Sequence, residues 1–303
     1  MLNKYIKINP KVEDAIKNKK PVVALESTLI SHGLPYPDNI KVANESIKAV
    51  EESGSIAATI GIINGEIKIG LDNNDIDILA TSTNVQKVSL HNIALSFLNK
   101  QNAATTVATT INIASKIGIS FFATGGIGGV HLGVEKNNDV SADLTELSRT
   151  RMFVVSSGPK SILDLEKTFE MLETYGIPRI SFNSDFMPGF WYEETEFKVD
   201  KNFKNIDDIS NYLKIIENLK HKSSVLIFNK VPDSKGLEKI QIEKWINQSV
   251  DKANSKNITG KELTPFLISE MNQLSNNKTL EANIALIINN ALLAGKISKE
   301  FYS

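Results

Sequence analysis

What most constrains the fold of this chain is an alternation repeated along it. Short apolar runs of strand length are each followed by a stretch whose apolar residues recur every three or four positions. Pro21-Val22-Val23-Ala24-Leu25 is such a run, and Ile40, Ala43, Ile47 and Val50 form one stripe of the next helix, which Gly54 ends. Val85–Leu90 reads as a strand, Thr105–Ile117 as a helix, Ile119–Ala123 and residues 152–157 as strands, and Ser161–Tyr175 as a helix. Later, Ile206, Ile209, Leu213 and Ile216 mark a helix and Ser224–Phe228 a strand, before two or three closing helices, the last from about Leu280 to Ile297. Such alternation predicts one sheet covered by helices on both faces. Ala58–Ile63 and Glu66–Ile69 flank Asn64-Gly65, the dipeptide that best accepts the two positive φ values of a tight hairpin, so the sheet is mixed. The expected fold is a single-domain α/β/α sandwich over residues 1–303 with a mixed, largely parallel central sheet.

Composition excludes several functions. Basic and acidic residues number 34 and 35, leaving a net charge of −1, and no Lys/Arg run exceeds a pair, so a nucleic-acid partner is not expected. The absence of Cys removes disulfides, thiolate nucleophiles and Cys-ligated zinc. The four histidines (His32, His91, His131, His221) include no HxH or HxxxH pair. No apolar run approaches the roughly 18 residues of a membrane span, and the start lacks a signal-peptide core, so no membrane partner and a cytoplasmic location are expected.

In an open α/β sheet, ligands bind beyond the carboxyl ends of strands, which directs attention to four segments. Glu26 closes the first strand. Poor solvation there would raise its pKa and suit it to giving up a proton; the alternative is a carboxylate that caps a neighbouring turn. Thr124–His131 is a glycine cluster after the Phe121-Phe122 run. It matches no dinucleotide or Walker fingerprint, and it is either an amide cradle for an anion or a tight structural turn. Asp139 and Asp143, spaced i, i+4, share one side of a helix start if a helix begins there, where they are either oxygen ligands for Mg²⁺ or Mn²⁺ or capping groups. Lys160 lies between a strand and the helix expected from Ser161. At a helix N-terminus a lysine opposes the macrodipole, which favours the neutral amine a Schiff-base enzyme needs; the alternatives are an amine anchoring phosphate or a merely solvated lysine.

Together these segments resemble the pseudouridine-5′-phosphate glycosidases. The resemblance rests on residues 21–28 with Ser31-His32-Gly33, on residues 102–108, on 122–131, and on Asp139-Val140-Ser141-Ala142-Asp143-Leu144. It continues in Lys160–Leu165, in Gly260–Leu267 and in Ala282-Asn283-Ile284, covering the chain from about residue 8 onward. Leu90-His91-Asn92 and Leu132 depart from the pattern. The resemblance implies reversible cleavage of pseudouridine 5′-phosphate to uracil and ribose 5-phosphate through a lysine Schiff base with the opened ribose. It implies Lys160 as nucleophile, Glu26 as proton donor, and Asp139 as ligand of Mn²⁺ or another divalent cation. Lys87, Val107, Ser141, Ala142 and Asp143 would line the substrate, with His131 and Asn283 on further active-site segments, and the assembly would be a homotrimer. Two rivals are an N-glycosidase or lyase using Glu26 and Asp143 as acid and base, and a non-catalytic sugar-phosphate binder.

Overall fold

The structure is a computed structural model that describes residues 5–258 and 263–303; Gly260, Lys261 and Glu262 of the resemblance motif lie outside the described residues. Strands run in chain order as β1 (Ile6–Ile8), β2 (Val22–Glu26), β3 (Ile56–Ile63), β4 (Glu66–Ile69), β5 (Gln86–Val88) and β6 (Ala103–Thr105). They continue as β7 (Phe121–Ala123), β8 (Phe153–Ser156), β9 (Arg179–Phe182), β10 (Lys201–Phe203) and β11 (Val225–Asn229). One sheet takes them in the order β1-β4-β3-β2-β7-β8-β11-β9-β10, with β6 also on β3 and β5 on β6. β3 pairs antiparallel with β4 and with β6, and the other pairings are parallel. The sheet is therefore mixed and mostly parallel, with helices on both faces.

The two faces follow from side-chain alternation along a strand. On β2, Val22 and Ala24 join Ile60, Ile111, Leu144 and Leu172 in one core, whereas Val23 and Leu25 join Val50, Ile209, Leu213 and Ile297 in the other. Strands buried on both faces read as unbroken apolar runs, which is why β2, β8 and β11 are legible in the sequence. The hairpin forms as expected, with φ of 51° at Asn64 and 74° at Gly65.

Besides the helix expected from Thr105, which begins at Val107 after the Thr106 cap, two helices start later than the periodicity suggests. The helix expected from Ser161 begins at Leu165, where Asp164 caps it by accepting the Lys167 N–H. The helix after Asp139 begins at Ala142 with Ser141 as its cap, so Asp139 precedes the cap and does not share a helical face with Asp143. In both cases a side-chain acceptor sets the first turn, a signal stronger than the apolar period.

Lys278–Phe301 is long and apolar enough to cross a membrane by length and composition, but its buried residues, Ala291, Ala294 and Ile297 among them, join the core between the sheet and the helix Asp38–Glu52. Gly295 lets the two helices touch, because a Cβ there would lie 2.1 Å from Ser53 Oγ and 3.2 Å from the Val50 carbonyl. A glycine-to-alanine change inside a helix ordinarily stabilises by up to about 1 kcal/mol. Here the sign is expected to reverse: Gly295→Ala should lower the unfolding free energy by about 1–3 kcal/mol, as overpacked cores do, measured by urea denaturation.

Candidate active site

Three adjacent parallel strands end at one level. Leu25 of β2 pairs with Ala123 of β7, and Ala123 pairs with Val155 of β8. One residue further along, Glu26 and Thr124 stand side by side, and the Thr124 hydroxyl donates to Glu26 Oε1. The chain beyond β8 turns through Gly158, whose φ is 84° and where a Cβ would lie 2.6 Å from the Pro188 carbonyl, and so delivers Lys160 to the same end of the sheet. The next parallel pair, β5 and β6, supplies Lys87 and, just beyond β6, Thr106 and Val107.

These segments enclose a cavity of about 180 Å³ whose wall includes Glu26, Lys87, Val107, His131, Ser141, Ala142, Asp143 and Lys160. An adjoining recess of about 40 Å³ shares Glu26, Lys87 and Lys160 and adds His32, Phe190 and Asn283. All the sequence-selected residues except Asp139 therefore border one of these two spaces. A larger surface groove of about 430 Å³ lies behind Leu163 and contains neither Glu26 nor Lys160.

The charges are mutually constrained. Burial pushes the Glu26 carboxyl up to about 7, against the opposing pull of Lys160 and the Thr124 hydrogen bond; Asp143 adds to the rise and Lys87 opposes it. The Lys87 amine is held below the usual lysine range by burial and then by Lys160, with Asp143 and Glu26 pulling back. Burial and the Lys87 charge also hold His32 down, partly offset by a hydrogen bond to the Gln86 backbone.

Asp143 acts as an internal anion. Its Oδ1 accepts the Ala108 N–H at 2.9 Å and its Oδ2 accepts the Gly128 N–H at 2.8 Å, tying the segment after β6 to the glycine cluster. Gly128 permits this approach, since a Cβ would lie 2.3 Å from Ser141 Oγ and 2.7 Å from Asp143 Oδ2. Several of the amides that could cradle an anion are thus spent inside the protein. Besides Gly128, the N–H groups of Ile127, Val130 and His131 bond to Gly158 O, Thr168 Oγ1 and Asp139 O.

Lys160 is not at a helix N-terminus. Its N–H donates to the Ile127 carbonyl at 3.2 Å, its own carbonyl accepts from Leu163 at 3.0 Å, and the helix starts only at Leu165. No helix dipole therefore opposes its charge in the way its sequence position suggests, and its surroundings are the cavity charges. Where the sequence departs from the family pattern, Asn92 folds back, its Nδ2 donating to the Lys87 carbonyl at 3.2 Å and its Oδ1 accepting the Ser89 N–H at 2.8 Å. Leu132 is exposed.

Asp139 stands outside the cavity wall, next to His131, whose N–H its carbonyl accepts at 3.0 Å. Burial holds the His131 imidazole below its ordinary value, with the Asp139 charge opposing this and Lys160 and Lys87 reinforcing it. Among the described residues, no group of three or more His, Cys, Asp or Glu could hold an ion. One half-buried carboxylate fits a hard divalent cation only if water and substrate oxygens complete the shell, as Mg²⁺-type ions commonly accept.

Sequence reasoning missed Thr124 as a partner of Glu26, and it missed Thr28, Ser89, Thr106 and Phe190 as wall residues. Thr124 carries one usable signal, its place one residue beyond a strand that pairs with β2. Phe190 carries none, because it arrives on an irregular segment, at a φ of 68°, and packs against Gly126.

The sequence matches, over residues 11–300, the family described as indigoidine synthase A like protein. A pseudouridine-5′-phosphate glycosidase of Petrotoga mobilis is 42% identical over 297 residues, covering 98% of this chain and 97% of the relative. One from Staphylococcus aureus is 44% identical with the same coverage. Among solved structures, an indigoidine synthase A-like protein of Thermotoga maritima aligns with a TM-score of 0.89 at 34% identity, covering 98% of this chain and 97% of that one. The prealnumycin C-glycosynthase AlnA in complex with ribulose 5-phosphate aligns with a TM-score of 0.91 at 30% identity, covering 99% and 97%.

The buried Glu26 carboxyl carries a stability consequence. Its pKa is about 7 in the folded chain against 4.5 ordinarily, so the folded state binds the proton more tightly. Stability from this group is lost as pH rises from 4.5 through 7. Glu26→Gln is expected to exceed the parent in stability at pH 8 by up to about 3 kcal/mol, with the difference closing toward pH 4.5, as read from melts across that range.

Proposed function

This chain belongs to the indigoidine synthase A like family, and from that membership we propose that it cleaves the C–C glycosidic bond of pseudouridine 5′-phosphate reversibly, giving uracil and ribose 5-phosphate. Its relatives of 39–46% identity are named as enzymes of this kind, and the chain is an enzyme. One observation carries the reading: a carboxyl whose pKa is raised to about 7 and a lysine amine border a single cavity, brought there by different strand ends. The sugar phosphate bound by the AlnA structure supports a pentose phosphate as ligand.

The bond dictates the chemistry. A nitrogen leaving group can be expelled by a pair of carboxylates, but a carbon leaving group offers no lone pair to protonate. In the proposed reaction the uncharged Lys160 Nζ bonds to C1′ as the C1′–O4′ bond breaks, and the electron pair stays on O4′, which takes the proton of Glu26. The carboxylate then accepts the proton released by the nitrogen and returns it to C5 of the base. As C5 is protonated, the C1′–C5 pair passes to C5 and the nitrogen lone pair closes C1′=N, so uracil departs. Water hydrolyses the resulting iminium to ribose 5-phosphate and the free amine, and the proton released returns to the Glu26 carboxylate. Lys87, Val107, Ser141, Ala142 and Asp143 hold the sugar phosphate against this pair, with His131 and Asn283 closing the remaining walls, so that binding away from C1′ positions the reacting atoms. A divalent cation such as Mn²⁺, held by Asp139, supplies positive charge that orients water and substrate oxygens when bound.

Incubation with ribose 5-phosphate and borohydride, followed by peptide mapping, should place one reduced pentose phosphate on Lys160 and none in Lys160→Ala. A label on another residue, or uracil release that survives Lys160→Ala, would refute the covalent scheme and favour the acid/base rival. Cleavage should also weaken above neutrality, because the donor form of Glu26 is lost as pH rises through about 7. kcat/KM is expected to fall about tenfold per unit well above that point, and the limb should vanish in the residual activity of Glu26→Gln.

A further inference from the structure

Glu26 receives its hydrogen bond from Thr124, so the position of the Thr124 hydroxyl matters to the proposed proton donor, and any residue that fixes Thr124 draws its importance from that reading of Glu26. Thr124 lies where β7 leaves the sheet. Its N–H is fixed by the Val155 carbonyl at 3.1 Å, but the carbonyls of Thr124 and Gly125 point away from the sheet toward the Lys278–Phe301 helix. Buried carbonyls need donors. Asn290 supplies them: its Nδ2 donates to Thr124 O at 2.9 Å and Gly125 O at 3.3 Å, and to Ser157 Oγ at 3.1 Å. Its Oδ1 accepts from Asn229 Nδ2 at 3.0 Å, and the side chain is wholly buried. Ser157 opens the turn that carries Lys160, its N–H bonding to Gly125 O at 2.9 Å and its hydroxyl to Asn229 O at 2.8 Å. One amide thus joins the ends of β7, β8 and β11 beneath both reactive side chains. Two turns earlier on the same helical face, Asn283 borders the recess itself.

We propose that Asn290 is a positioning residue: by gripping two successive carbonyls it holds the Thr124 hydroxyl on the Glu26 carboxyl. Asn290 borders neither the cavity nor its recess, and it acts through Thr124. A hydroxyl donating to a carboxylate favours its charged form. Release of Thr124 therefore leaves Glu26 protonated to higher pH, while Lys160, Lys87, Asp143 and His32, the other ionisable groups around it, stay in place.

The test is the pH dependence of kcat/KM for uracil release between pH 5.5 and 9, with melting temperature and KM, for the parent, Thr124→Val, Asn290→Ala, Asn290→Ser and the double variant Thr124→Val/Asn290→Ala. Thr124→Val and Asn290→Ala should each move the alkaline limb upward by about half a pH unit or more. The double variant should move it no further than either alone, and KM should stay within about threefold of the parent. An Asn290 variant that melts lower while its limb stays put, additive shifts in the double variant, or failure of both Asn290 variants to fold would each overturn the proposal. The Glu26→Gln control separates the two layers. If the parent shows no limb near pH 7, or Glu26→Gln keeps full activity, it is the reading of Glu26 as donor that fails.

Discussion

Parallel pairing of β2 with β7, and of β7 with β8, leaves three strand ends at one level, and a strand end is where backbone groups lose their sheet partners. The rest of the molecule answers that loss. Glu26 and Thr124 meet side by side because the register would next have paired them. The carbonyls of Thr124 and Gly125 are taken up by Asn290, and the amides of Gly128, Ile127, Val130 and His131 by Asp143, Gly158, Thr168 and Asp139. A polar floor forms in which these backbone groups are satisfied within the protein.

On that floor the electrostatics are those of a small compartment of closely placed charges. Two lysines and two carboxylates share the walls of one cavity, and burial works against the charged forms of Glu26 and Lys87. The balance differs by residue. Glu26 is lifted to about 7 because burial exceeds the help of Lys160 and Thr124. Asp143 has both oxygens tied to backbone amides and is committed to holding two segments together. Carboxylates of one cavity thus take different tasks from their hydrogen-bond partners, which makes Asp143 a poor half of an acid/base pair.

The strands legible in advance were β2, β7, β8 and β11, buried on both faces, the partly exposed β5, and the Asn64-Gly65 hairpin, because apolar runs and a turn needing two positive φ values are local properties. The short strands β1, β6, β9 and β10 show no such run; their pairing depends on what lies beside them. The positions of Glu26 and Lys160 after strands singled them out, yet Lys160 faces no helix dipole of the expected kind. Asp164 caps that helix four residues later.

The sequence alone determined the alternation that demands a layered α/β fold, the chemical types available without cysteine or a histidine cluster, and the segments after strands where reactive groups stand. These are set by near neighbours in the chain. Only the tertiary structure decided which groups meet. The contacts of Thr124 with Glu26 and of Asn290 with Thr124 span 98 and 166 residues of chain. A side chain's acidity depends on the burial and charges that such distant segments bring to it, and no local pattern encodes them.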